Sequence, residues 1–251
     1  MPVTIKSARE IELMAEAGRI LEIVHNELRD ALHAGMSTLD IDRLGEEIIR
    51  SYDCIPSFLN YNGYPASICV SVNDEVVHGI PHAEHILQEG DIVSLDAGLI
   101  YKGYHSDAAR THAVGKVSPE AQKLMDVTKQ SFFEGIKMAK AGNHLHQISA
   151  AINDYVDQFG YGVVRDLVGH GIGTHLHEDP QIPNFRQHRR GIKLVPGMTL
   201  AIEPMINAGT WEVAWLDDDW TVVTDDGSLS AHYENTILIT DGEPEILTLT
   251  L

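Results

Sequence analysis

Two cysteines, Cys54 and Cys69, are all that 251 residues carry. That is too few for a disulfide framework, and a reducing compartment suits them. Basic residues are scarce as well: 18 Lys and Arg face 37 Asp and Glu, a formal net charge of −19. Such an acid excess repels phosphate backbones and argues against nucleic acid as a direct ligand. No apolar run approaches the ~18 residues that a bilayer span requires, so no membrane partner is expected. The opening MPVTIKSAREIELM lacks a basic segment followed by an apolar stretch. No secretory signal is read there, and a cytoplasmic location is expected. There is no GxxxxGK phosphate loop, no low-complexity run and no Ser/Gly-rich hinge. The 43% of hydrophobic residues suffices at this length to bury one core. A single domain over 1–251, acting as a monomer, is therefore expected. The 14 histidines stand out and direct attention to metal or acid–base chemistry.

The chain repeats one order of elements. Ser7-x-x-Glu10 is a capping box, followed at helical spacing by Ile11, Met14, Leu21, Val24, Leu28 and Leu32, with Gly35 as the stop. A shorter helix begins near Ser37 or Thr38 and carries Ile41, Leu44 and Ile48. The period then changes to two, with strands predicted at Ile68–Val72, Ile92–Asp96 and from Tyr104 to about Val114. Ser118-Pro119 opens the second round, a long helix stopped by Gly142. A second short helix follows, with Leu145, Ile148, Ile152, Tyr155 and Phe159, ended by Gly160. Further strands are expected at about Gly162–Val168, Met198–Asn207, Trp220–Thr224 and Ala231–Thr240. The halves run about 1–115 and 116–251. Strands that follow helices without regular alternation indicate an α+β fold on a largely antiparallel sheet.

The most informative segment is IVSLDAGLIYKGYHSDAARTH. A reversal at Tyr101-Lys102 would set Asp96 opposite Asp107, with Cβ atoms about 4.5–5.5 Å apart. Two carboxylates opposed on an apolar hairpin repel unless a cation sits between them. A register slip that leaves one Asp in solvent is the other reading. Glu203 in MTLAIEPMIN and Glu234 in LSAHYENTILIT are further acids in apolar company; each ends or interrupts a strand, and each needs a partner if buried. His170 lies between Gly169 and Gly171, where small neighbours leave room around the imidazole. Taken singly, each residue has an ordinary reading, edge-strand solvation for the Glu and a core position for the His. Their joint occurrence is what points to a site.

HGIP at His78–Pro81, the Asp96/Asp107 pair, GHGIG at Gly169–Gly173, HEDP at His177–Pro180, AIEP at Ala201–Pro204 and YENT at Tyr233–Thr236 occur in order along the chain. This set resembles the type I methionine aminopeptidases of peptidase family M24. The resemblance implies the pita-bread fold, two pseudo-symmetric halves with a curved, largely antiparallel sheet flanked by helices, around a dinuclear metal site. It implies Asp96, Asp107, His170, Glu203 and Glu234 as the metal ligands, with Asp107 and Glu234 bridging. It implies His78 and His177 as metal-adjacent histidines that bind substrate and assist proton transfer, and Glu203 as the proton shuttle. Phe58, Tyr61, Tyr64, Cys69, Leu176 and Trp220 would form the pocket for a methionine side chain, with His78 at its edge. Asn73, Glu75 and Ser230 match positions that hold a monovalent cation. The implied activity removes the initiator Met from nascent proteins whose second residue is small, through a hydroxide held between the two ions. Four carboxylates balance the charge of two divalent ions, and oxygen-rich sites with one imidazole suit Mn, Fe, Co or Zn alike.

Some features depart from that pattern or imitate others. Absence of an N-terminal extension fits the bacterial form, and absence of a large insertion before YENT argues against type II enzymes. The resemblance implies a transient ribosome association, but the acidic 217–226 loop counts against docking through it. His175-Leu-His177-Glu-Asp179-Pro180 resembles the HxHxDH signature of metallo-β-lactamase-like hydrolases, with Pro180 in place of the last ligand. His78-x-x-x-His82 contains Gly79 and Pro81, which break the helix such a pair needs. Gly169-x-Gly171-x-Gly173 is not a dinucleotide fingerprint. His82, His85 and His105 are expected at the surface or in loops. Xaa-Pro aminopeptidases and prolidases share the five ligands but usually add an N-terminal domain. Non-catalytic members of the same fold bind peptides after losing ligands.

Overall fold

The computed structural model describes residues 3–249. Helix α1 (Ala8–Ala31) starts where the capping box predicts: Ser7 Oγ accepts from the Glu10 N–H at 3.4 Å, and the Glu10 carboxylate accepts from the Ser7 N–H at 2.7 Å. It ends before Gly35, because Leu32 is already extended, and Gly35 (φ 94°) serves the turn into the next helix. Helix α2 (Thr38–Ser51) is boxed in the same way by Ser37 and Asp40. Helix α3 (Pro119–Ile136) is capped by Ser118, which accepts from the Ala121 N–H at 3.1 Å. Helix α4 (Leu145–Val156) has His144 as its cap, with Gln147 reaching back to the His144 N–H at 2.8 Å. Gly160 (φ 73°) closes the turn beyond α4.

The first half carries β1 (Ile55–Pro56), β2 (Ile68–Val72), β3 (Glu75–Val77), β4 (Ile92–Tyr101) and β5 (Tyr104–Ala113). β4 lies between β1 and β2 and also pairs with β5. The second half carries β6 (Gly162–Val163), β7 (Gly169–Gly171), β8 (Glu178–Ile182), β9 (Thr199–Ile202) and β10 (Met205–Asn207). It continues with β11 (Val213–Trp215), β12 (Val222–Thr224), β13 (Ser230–His232), β14 (Asn235–Leu238) and β15 (Glu245–Ile246). β15, β14, β9, β7 and β8 form a five-stranded sheet in that order, and β10 joins β13 to β6. Every strand pair between these elements is antiparallel. Two of the long strands predicted in this half are interrupted. The 198–207 run breaks at Glu203-Pro204 and the 231–240 run at Tyr233-Glu234, so each of those glutamates sits at a break. Pro204 has no N–H to donate to a ladder, which explains the first interruption.

α1 and α2 lay their apolar faces on the first-half sheet, where Leu21, Val24, Leu28, Ile41 and Ile49 meet Ile68, Leu95 and Leu99. In the second half Phe132, Ile148 and Ile152 pack against Leu200, Ile202 and Ile237. Each fully buried side chain of this size contributes roughly 1.5–3 kcal/mol of transfer free energy. The halves are also joined through backbone. β3 pairs with β12, and Ala109 exchanges both of its backbone hydrogen bonds with Glu234, at 3.4 and 2.9 Å.

Candidate active site

That Ala109–Glu234 contact is the centre of the site. Thr236 Oγ1 reinforces it, accepting from the Asp107 N–H at 3.0 Å and donating to the Asp107 carbonyl at 2.9 Å. The strand carrying Asp107 and the segment carrying Glu234 are therefore locked together, although 127 positions separate them in the sequence.

The hairpin register differs from the expected one. The chain reverses at Lys102-Gly103, both in the left-handed region (φ 48° and 88°), and Tyr101 pairs with Tyr104. Asp96 faces Ala109, and Asp107 faces Gly98. The two-residue turn with positive φ at both positions matches the right-handed twist of the strands, which a turn one residue earlier would not. Moving a turn by one residue moves every partner by two, so both Asp stay on one face as diagonal neighbours. Their carboxyls are still neighbours, and the charge of Asp96 helps to raise Asp107. Gly98 has its own reason: a Cβ there would lie 2.9 Å from the Phe58 ring.

His170 comes from β7. A Cβ on Gly169 would overlap the Ala201 carbonyl, and one on Gly171 the Asp179 carbonyl. These glycines thus permit close approach of neighbouring backbones rather than giving room to the imidazole, as the sequence had suggested. His170 Nδ1 is 2.9 Å from the Gly171 carbonyl, which can only accept, so Nδ1 carries the proton. The Nε2 lone pair is left 3.7 Å from Asp107 Oδ2 and 3.6 Å from Glu203 Oε1. Burial, then neighbouring His177, pushes His170 down to about 3 and keeps it neutral.

Ligand atoms of Asp107, His170 and Glu234 all lie within 4.8 Å of one another. Asp96 and Glu203 complete the same cluster. Burial raises Asp96 to about 7. Asp107, Glu203 and Glu234 are held well above the carboxylate range by burial first and by neighbouring acid charge second, that of Asp96 on Asp107 and that of Asp107 on both glutamates. Asp96 Oδ1, Asp107 Oδ1 and Glu234 Oε1 are buried with no hydrogen-bond partner. The guanidinium nearest to them, Arg110, donates to the backbone carbonyls of Ala109 and Glu234, not to a carboxylate. Unpaired buried oxygens and mutually repelling carboxyls around a single imidazole lone pair fit divalent cations, whose charge reverses the desolvation cost.

A cavity of about 240 Å³ opens from this cluster. Phe58, Tyr61, Tyr64, Cys69, Leu176 and Trp220 line it together with His78, His177 and the five cluster residues, so every expected pocket residue is brought to one place. Burial pushes the Cys69 thiol well up, which keeps it protonated and apolar in character. Tyr64 donates to the Gly79 carbonyl at 2.8 Å and meets Trp220 edge-on at 5.2 Å. His78 sits just after β3 in the left-handed region (φ 59°), an uncommon conformation for a non-glycine residue. Burial, then His177, pushes it down to about 4. His177 Nδ1 is 2.7 Å from the Tyr61 hydroxyl, and its ring lies 4.2 Å from that of His170. Asn73 and Ser230 are adjacent through a backbone hydrogen bond of 2.8 Å, and Glu75 accepts from the Val72 N–H at 2.8 Å.

Sequence reasoning missed three participants. His232 is 1% exposed with Nε2 3.9 Å from Glu203 Oε2, and its position two residues before Glu234 was the available signal. Asn62 lines the cavity. Lys6 pairs with Glu178 at 2.7 Å in a buried contact beside His177. His105 lies on β5 and is half-buried: desolvation holds it at about 4, and its Nδ1 is 2.9 Å from Ser57 Oγ. His82 is exposed, as expected.

Fold and site together define a metallopeptidase: residues 12–241 match Metallopeptidase family M24, and the chain belongs to that family. More particularly, it is 56% identical over 247 residues to the methionine aminopeptidase of Clostridium acetobutylicum, covering 98% of this chain and 99% of that one. The crystal structure of methionine aminopeptidase from Thermotoga maritima superposes with a TM-score of 0.97 at 45% identity, covering 99% of this chain and 100% of that one. The Xaa-Pro dipeptidase of Bacillus anthracis shares the fold at a TM-score of 0.80 and 26% identity, and this chain covers 62% of it. The fold is thus the pita-bread fold that the motifs had implied. Among the described residues no helix is long and apolar enough to cross a membrane.

Proposed function

We propose that the protein is a divalent-metal-dependent aminopeptidase that removes the N-terminal methionine of nascent polypeptides whose second residue is small. The observation that carries this reading is the continuity of one cavity, from the carboxylate–His170 cluster to a wall of aromatic and sulfur-bearing side chains. Such a wall suits an unbranched thioether and disfavours charged side chains. Asp96, Asp107, His170, Glu203 and Glu234 would hold two ions, drawn from Mn, Fe, Co or Zn. When bound, such ions lower the pKa of water and polarise the scissile carbonyl.

The remaining steps belong to the chain's own groups. With its Nδ1 engaged by Tyr61, His177 keeps Nε2 for the peptide carbonyl. His78 acts from the pocket rim on the same substrate. The Glu203 carboxylate takes the proton of the attacking water and passes it to the leaving amine. We further infer a cytoplasmic monomer. The acidic 217–226 loop disfavours ribosome docking through that segment, because its carboxylates repel RNA phosphates.

Turnover of Met-Ala-Ser beside Ala-Pro-Ala, each with added Mn or Co, tests the reading. Release of free Met from the first peptide alone is the expected result. Cleavage of only the proline peptide would make the protein a prolidase-like hydrolase, and no turnover with any metal would make it a peptide-binding member of the fold. Glu234→Gln should lose metal and activity together.

A further inference from the structure

The loop between β7 and β8 carries two residues of the substrate cavity. Residues 172–177 form no helix or strand, yet Leu176 and His177 both line that cavity. Leu176 is buried, whereas Thr174, His175 and His177 are exposed, so packing holds only part of the loop. The rest depends on anchors at its two ends. At the first, the Gly173 carbonyl accepts from the His105 N–H of β5 at 2.8 Å. At the second, Glu178 follows His177 directly and is buried.

The partners of Glu178 come from the start of the chain. Lys6 Nζ donates to Glu178 Oε2 at 2.7 Å, and Thr4 Oγ1 donates to the same oxygen at 2.5 Å. Glu178 Oε1 accepts from the His175 N–H at 3.3 Å, which ties the carboxylate back into the loop. Lys6 is the one buried Lys or Arg among the described residues, and the two paired side chains are 4% and 2% exposed. Its own backbone is fixed, because the Lys6 N–H donates to the Gly197 carbonyl at 2.7 Å. A Cβ on Gly173 would lie 2.6 Å from both Glu178 Oε1 and Lys6 Cε, so this glycine admits the pair. Taking two charges out of water costs about as much as their attraction returns. Such a pair adds little net stability, and what it supplies is a fixed position.

We propose that Lys6 is a positioning residue for turnover and substrate selection. Through Glu178 it holds the 173–177 loop so that Leu176 closes the side-chain pocket and His177 meets the peptide. The inference rests on the aminopeptidase reading given above. The double variant Lys6→Met/Glu178→Gln removes both charges and leaves neither partner buried alone. Its kcat on Met-Ala-Ser should fall at least tenfold. Its preference for Met-Ala-Ser over Leu-Ala-Ser, as a ratio of kcat/KM, should fall at least fivefold. Manganese affinity, measured by calorimetry, should stay within twofold of wild type. A merely structural pair would change the Tm and leave kcat and that ratio alone. The ring resonances of His177 in the zinc-loaded protein report on the loop without turnover. They should shift or broaden in the double variant, while those of His25, held by the Ala108 carbonyl at 2.8 Å, stay in place. Wild type inactive on Met-Ala-Ser would therefore sink the proposed function, and His177 would still decide this inference. Thr4 is exposed, so Thr4→Val removes one donor to Glu178 without opening the core. It should lower kcat two- to threefold, and it decides the matter if the double variant does not fold. Unchanged kcat and selectivity, an unmoved His177, or lost manganese affinity would overturn the proposal.

Discussion

Asp96→Asn should make the metal-free protein more stable at pH 8 while abolishing its metal-dependent activity. The reasoning starts from burial, which lifts the folded-state pKa of Asp96 from 3.8 to about 7. A carboxyl with a raised folded pKa contributes stability below its unfolded pKa and loses it as pH rises through the folded value. The loss therefore falls between about pH 4 and pH 7. At about 1.4 kcal/mol per decade it amounts to about 4 kcal/mol for this residue. Asp107, Glu203 and Glu234 are shifted in the same direction and deepen the fall. The amide of Asn carries no charge to desolvate, so the variant escapes the part due to Asp96. For a chain of this length that corresponds to on the order of 10 °C in Tm at pH 8. Thermal unfolding of dialysed, metal-free wild type and variant at pH 5 and pH 8 measures it. At pH 5, about one unit above the unfolded pKa, the difference should shrink to roughly 1.5 kcal/mol. Saturating divalent metal should reverse their order at pH 8, because only the wild type gains the full binding free energy. A variant less stable than wild type at pH 8 without metal would refute the idea that the cluster is an uncompensated charge store awaiting cations.

Other perturbations separate positioning from metal binding. His78→Ala should keep divalent metal affinity, measured by calorimetry, and lower turnover, because His78 borders the substrate cavity outside the carboxylate cluster; loss of metal would move it into the ligand set. Tyr61→Phe removes the 2.7 Å contact to His177 Nδ1 and should lower kcat/KM roughly five- to tenfold with the Tm unchanged. Gly171→Ala places a Cβ against the Asp179 carbonyl, and chemical denaturation should show a loss of roughly 1–3 kcal/mol with weakened metal binding at neighbouring His170.

Much of this protein was legible along the chain because its signals are local. The Ser7/Glu10 and Ser37/Asp40 boxes and the Ser118 cap act within one turn of helix, so all three helix starts could be read from neighbouring residues. The four clustered acids stood out too, since an acid in an apolar strand contradicts its surroundings wherever the chain goes; the resemblance to the family joined His170 to them. The period of two held on β4 and β5, and it preserved the shared face of Asp96 and Asp107 even though the turn was misplaced by one residue.

Tertiary structure alone decided what depends on distant partners. Glu203 and Glu234 interrupt strands, as their apolar company suggests, but what holds the second break lies across the seam, where Ala109 bonds to Glu234 and Asp107 to Thr236. Gly169 and Gly171 looked like space for an imidazole, but the carbonyls of Ala201 and Asp179 demand them. His105 was expected at the surface or in a loop and His232 drew no attention, until packing half-buried the first and fully buried the second. Burial is a property of what the rest of the molecule covers, and no window of neighbouring residues contains it.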